Sequence, residues 1–100
     1  MPNLLVSVAH QLSQDEALQR VQRAIVQAKS QNSDKIGELK ESWDGYVGKF
    51  RITVMGHSAS GSLTVNPSEV TVEGTLPLIA SPFRSTIEAR VRDMLARLLA

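Results

Sequence analysis

Leu4, Val6 and Val8 alternate with Leu5, Ser7 and Ala9, the period of two that predicts a β-strand with one buried face, and His10 ends it. The period then changes. Ala17, Leu18, Val21, Ala24, Ile25 and Ala28 recur at helical spacing, with Arg20, Arg23 and Gln27 towards the other side, so a helix is expected over roughly residues 14–30. Ser13 and Glu16 have capping-box spacing, in which the hydroxyl and the carboxylate each satisfy an amide left open at the helix start. The stretch Gln31, Asn32, Ser33, Asp34 reads as a polar connection through which the helix frays.

Four more strand-like segments follow. In Trp43-Asp44-Gly45-Tyr46, Asp-Gly supplies the central pair favoured by a type I′ hairpin. That turn would set Trp43 opposite Tyr46, Leu39 opposite Phe50 and Glu41 opposite Gly48, on a face continued by Ile52 and Val54. The other face would pair Glu38 with Arg51, which is favourable, and Lys40 with Lys49, which is mildly costly. Asn66-Pro67-Ser68-Glu69 fits a second turn with Pro in its second position. It sets Val65 opposite Val70, Leu63 opposite Val72 and Gly61 opposite Gly74. Ser62, Thr64, Thr71, Glu73 and Thr75 then point the other way, so the sheet should be buried on one face and wet on the other. Ser81-Pro82-Phe83 signals a last helix with Pro at its first position, running to about Leu99 with Phe83, Ile87, Val91, Met94, Leu95 and Leu98 as its apolar stripe.

Strand directions select a topology. If the last four strands form a meander, the first strand is antiparallel to the fifth, and placing it there avoids a parallel crossover. The expectation is one α+β domain over residues 1–100, a two-layer β-α-β-β-β-β-α arrangement. Its five-stranded antiparallel sheet has order 1-5-4-3-2 and carries two helices on one face. The shape resembles a reduced helix-grip fold, a likeness that carries no function by itself.

Composition narrows the function classes. The 100 residues hold no cysteine, which excludes disulfides and thiolate metal sites and suits a reducing cytoplasm. No apolar run is long enough for a signal peptide or a membrane span, so the expected location is the cytoplasm. Net charge is +1, with 7 basic and 8 acidic residues in 1–77 and 4 against 2 in 78–100, and there are only four aromatic side chains. Nucleic acid is therefore not the expected partner.

The enzyme-like features are weak. Gly56-His57-Ser58-Ala59-Ser60-Gly61 lacks one glycine of a nucleophile elbow and joins two strands, so it reads as a hairpin loop. His10 and His57 are the only imidazoles, and neither has a helical partner for a metal; no metal or cofactor is expected. His10 lies near Ser13 and Asp15, yet both suit a helix start. Glu41, Gly48, Gly61 and Gly74 fall on the inner face, where bare patches could line a small cavity; the simpler reading is that the glycines let a helix approach or the sheet curve. The uncharged segment from Leu76 to Phe83 either folds inward as a staple or turns Leu78 and Ile79 outward beside Arg84. The outward arrangement would suit a lipid-coated or polyester surface, or a second subunit in a homodimer.

Taken in order, His10-x-Leu12 before a helix with Ala17 and Arg20, Trp43-x-Gly45 ahead of Phe50, Gly61-x-Leu63-x-Val65, Val70-x-Val72, Leu76-Pro77, and Phe83 with Ile87-Glu88 resemble the polyhydroxyalkanoic acid system family over nearly the whole chain. Tyr46 and Gly48 depart from the family pattern, which often has an acid and a larger apolar residue there. The resemblance implies a small bacterial protein tied to polyhydroxyalkanoate synthesis and use and associated with storage granules. It implies no catalytic residue and no cofactor; His10, Trp43 and Gly45 match the pattern without an assigned role. The expected function is that of a non-enzymatic accessory protein binding the granule surface or granule proteins, with Leu78, Ile79, Phe83 and Arg84 as the contact. The rival is a small binding module that holds an acyl-like apolar ligand between sheet and helices.

Overall fold

The computed structural model describes residues 3–31, 38–54 and 56–100. Along these run β1 (Asn3–Ala9), α1 (Gln14–Gln31), β2 (Glu38–Asp44), β3 (Val47–Val54), β4 (His57–Val65), β5 (Glu69–Thr75), a 3-10 segment (Leu78–Phe83) and α2 (Arg84–Leu98). All neighbouring strands are antiparallel in the order β1-β5-β4-β3-β2, as the strand directions require. The rest of the polar connection expected after Gln31 lies outside the described residues.

The second turn has the expected register, with Val65 opposite Val70 and Leu63 opposite Val72, closed by the Asn66 amide donating to the Glu69 carbonyl at 2.8 Å. The first turn is displaced by one residue. Its two central residues are Gly45 and Tyr46, so Trp43 faces Gly48, Glu41 faces Phe50, Leu39 faces Ile52, Lys40 faces Arg51 and Glu38 faces Thr53. Gly45 takes φ +61 at the first central position, where a II′ turn also wants glycine. Packing selects this register over the Asp-Gly one. The Trp43 indole lies over Gly48, and a Cβ there would stand 2.9 Å from three ring carbons. Because both strands shift by one position, each residue keeps its face.

The turn between β3 and β4 is also tighter than expected. Gly56, at φ +81, adjoins a strand that already begins at His57, so Ser58, Ala59, Ser60 and Gly61 are strand residues, not a loop. Within the sheet Gly61 faces Gly74 across β4 and β5, and an added Cβ at 61 would lie 2.4 Å from the Glu73 carbonyl oxygen. The two backbones approach closely there, which is the sheet-bending role available to a glycine pair.

The helices share one face. Ala17 and Val21 of α1 and Leu95 and Leu99 at the end of α2 bury against Val6, Leu63, Val65 and Val70. The Ser13 hydroxyl accepts from the Glu16 amide at 3.1 Å, the expected half of the capping box, whereas the Glu16 carboxylate pairs with Arg20. The Arg20 guanidinium also donates to the carbonyls of Leu98 and Ala100, tying α1 to the last turn of α2, where carbonyls lack helical partners. Phe83 and Met94 do not join the buried stripe: both are exposed, and Leu99 takes a core place instead. Pro82 sits inside the 3-10 segment, not at the first position of α2, which starts at Arg84 and leaves Phe83 as its N-cap ahead of the helical stripe.

Candidate functional site

The 3-10 segment carries three of the six large apolar side chains exposed among the described residues. Leu78 is 72% exposed, Ile79 63% and Phe83 61%, with the half-exposed Arg84 side chain next to them. At about 2 Å rise per residue the segment is roughly 10 Å long, a short ridge of chain on which all three are exposed, pointing to different sides at three residues per turn. Pro77 precedes it in an extended conformation, and the Ala80 amide donates to the Pro77 carbonyl at 2.9 Å, which turns the chain outward from β5. Of the two arrangements open to this segment, the outward one is present. Arg84 lies 3.9 Å from Glu88, whose carboxylate also accepts the Leu5 amide of β1 at 3.1 Å.

His10 is buried and satisfied by backbone. Its Nδ1 accepts from the Leu12 amide at 3.2 Å, which leaves the proton on Nε2, 3.0 Å from the Asn66 carbonyl. The imidazole thus clips the β1–α1 connection to the β4–β5 turn, and the His10 amide adds a bond to the Ser68 carbonyl at 2.9 Å. Ser13 is engaged with Glu16, and Asp15 accepts from the Tyr46 hydroxyl, raising the phenol above its ordinary range. His57 is exposed at the far end of β4, roughly 30 Å from His10 at strand spacing. Among the described residues no group of three His, Asp or Glu side chains could hold a metal ion.

Of the other positions singled out, Gly61 and Gly74 floor an open groove on the inner face of the sheet. Gly48 is roofed by Trp43, whose ring meets Phe50 edge-on at 5.6 Å and 86°. Glu41 reaches out to Lys29 at the end of α1 and accepts from the Trp43 indole at 3.3 Å. The Lys29 bond, helped by Trp43 and opposed by partial burial, holds the Glu41 carboxyl below the ordinary carboxylate range. A group depressed in this way stabilises the fold above its unfolded value and stops doing so as the pH falls through its folded value. Acid unfolding of the native chain should therefore show a small contribution below the normal glutamate range that Glu41→Gln removes, read from urea midpoints taken between pH 5 and pH 2.

Neither the groove as a site nor the Glu88 contact is legible in the sequence. The groove follows from strand parity once the register is known, whereas nothing in the α2 pattern marks Glu88 as a partner for β1.

Fold and ridge together define a small two-layer α+β protein with an apolar outward projection. The sequence profile of the family described as "Putative polyhydroxyalkanoic acid system protein" matches residues 4–99, and the chain belongs to that family. No curated protein matches the chain. Among the described residues no helix is long and apolar enough to cross a membrane.

Proposed function

We propose that the protein is a non-enzymatic accessory of the polyhydroxyalkanoate system that works in the cytoplasm, attached to storage granules through Leu78, Ile79 and Phe83 with Arg84 beside them. The exposed ridge is the observation that carries this reading: three large apolar side chains project where the chain had the option of folding them inward. Family membership ties the chain to the polyhydroxyalkanoate system and so favours a granule as the surface. Fully burying such a side chain contributes about 1.5–3 kcal/mol, so the ridge can supply a few kcal/mol before the cost of association. The chain from residue 78 onward carries four Arg and two acids. Near an anionic coat each cation adds only about 1 kcal/mol, so charge assists while apolar contact provides most of the attraction.

Flotation of purified protein with isolated granules tests the reading. The native chain should rise with the granules, and the double variant Leu78→Asp, Ile79→Asp should lower the bound fraction at least tenfold with its unfolding midpoint unchanged. Native protein that stays in the soluble layer would defeat attachment. Binding to native granules but not to granules stripped of protein would move the contact to a granule protein.

A further inference from the structure

The inner face of the sheet holds a second apolar feature, separate from the ridge. It is an open groove of about 280 Å³ walled by Ile25, Phe50, Ile52, Ala59, Leu63 and Leu76, with the bare backbone of Gly61 and Gly74 as its floor. Its lining presents hydrocarbon and no polar surface, so whatever occupies it is itself hydrocarbon there. One flank is different. Glu41 is the cross-strand neighbour of Phe50, and Lys29, one helical turn beyond Ile25, bonds to it, which places an ammonium group beside the groove.

We propose that this groove seats a single aliphatic acyl chain taken from solution, its tail over the glycine pair and its anionic head towards Lys29. The uncharged interior matches the tail, and the head would share Lys29 with the Glu41 carboxylate already bonded to it. Taking a methylene to fill about the space of one water molecule, ~30 Å³, the groove accommodates roughly nine carbons. Hydroxyalkanoic acids, the units of the polymer that the family's description names, combine such a chain with a carboxyl group. The site is independent of granule attachment.

Trp43 gives the readout, since its ring lies against the groove-lining Phe50. Titration with decanoate below its micelle concentration should change Trp43 emission saturably, with one chain bound. Across butyrate to dodecanoate, affinity should rise about fourfold per methylene and level off near ten carbons. Ala59→Phe should abolish binding in folded protein. Lys29→Met should weaken decanoate at least fivefold and leave decanol unchanged, and Glu41→Gln should tighten decanoate by releasing Lys29. The double ridge variant should bind decanoate as the native chain does. No saturation with decanoate, equal affinity for butyrate and decanoate, a response only to phosphatidylglycerol vesicles, or full binding by folded Ala59→Phe would each overturn the proposal. Equal loss of decanoate and decanol in Lys29→Met would overturn the assignment of the head group.

Discussion

Gly61→Val is expected to be the most damaging single substitution on the sheet, costing about 3 kcal/mol, the upper end for forcing extra carbon into a packed site. The obstacle is backbone. A Cβ at 61 would sit 2.4 Å from the Glu73 carbonyl oxygen and 3.1 Å from the Gly74 Cα, and neither can swing aside as a flexible side chain could. A 100-residue domain has only about 5–15 kcal/mol in hand, so the urea midpoint should fall by about 2 M or more. Two controls separate this mechanism from a general intolerance of glycine replacement. At Gly74 the corresponding Cβ would stand 3.0 Å from the Ser60 carbonyl oxygen, so Gly74→Ala should cost less than Gly61→Ala. At Gly45 the space is open and only the backbone angle of +61 resists a side chain, so Gly45→Ala should cost about 1–2 kcal/mol. Equal midpoints for Gly61→Ala and the native chain would refute the close-approach account.

His10→Ala should cost about 2–4 kcal/mol. The imidazole is 7% exposed and satisfies two backbone groups of segments far apart in sequence, the Leu12 amide and the Asn66 carbonyl. Removing it strands both, at roughly 1–3 kcal/mol for each buried group left without a partner, reduced to the extent that water enters. His10→Asn, which keeps a donor and an acceptor on a shorter side chain, should recover part of the loss. Hydrogen exchange supplies a local check, since the Leu12 amide should lose protection in the alanine variant before β2 and β3 do. A variant as stable as the native chain would mean that the clip contributes nothing to folding.

The fold could be read from the chain because the informative residues act locally or by parity. The alternation of Leu63 and Val65 with Ser62 and Thr64, and of Val70 and Val72 with Thr71 and Glu73, leaves one register around Pro67 that buries apolar pairs, and the structure has it. The Asp44-Gly45 turn misled by one residue because turn preference speaks only for the turn, while the register is decided by the Trp43 indole needing bare backbone at Gly48. Phe83 stays out of the α2 stripe because the helix begins at Arg84, after a 3-10 segment that the Ser81-Pro82 helix-start signal does not announce. At the candidate site, the lack of charge from Leu76 to Phe83 was legible, but the direction of Leu78 and Ile79 was not, because an uncharged run is equally compatible with a core and with a surface ridge. The bonds that occupy His10 come from Leu12 and Asn66, and the second of these could be located only once β1 was placed beside β5.

The carboxylate of Glu88 on the Leu5 amide has a bearing on crowding. Wherever copies of the chain meet at high local density, an outermost strand with a bare row of donors is a template for zipping one molecule onto the next. In this protein the rim at β1 is stoppered by a side chain from α2, the helix that follows the ridge directly. Through Glu88, α2 thus guards an edge that would otherwise lie open to a second sheet.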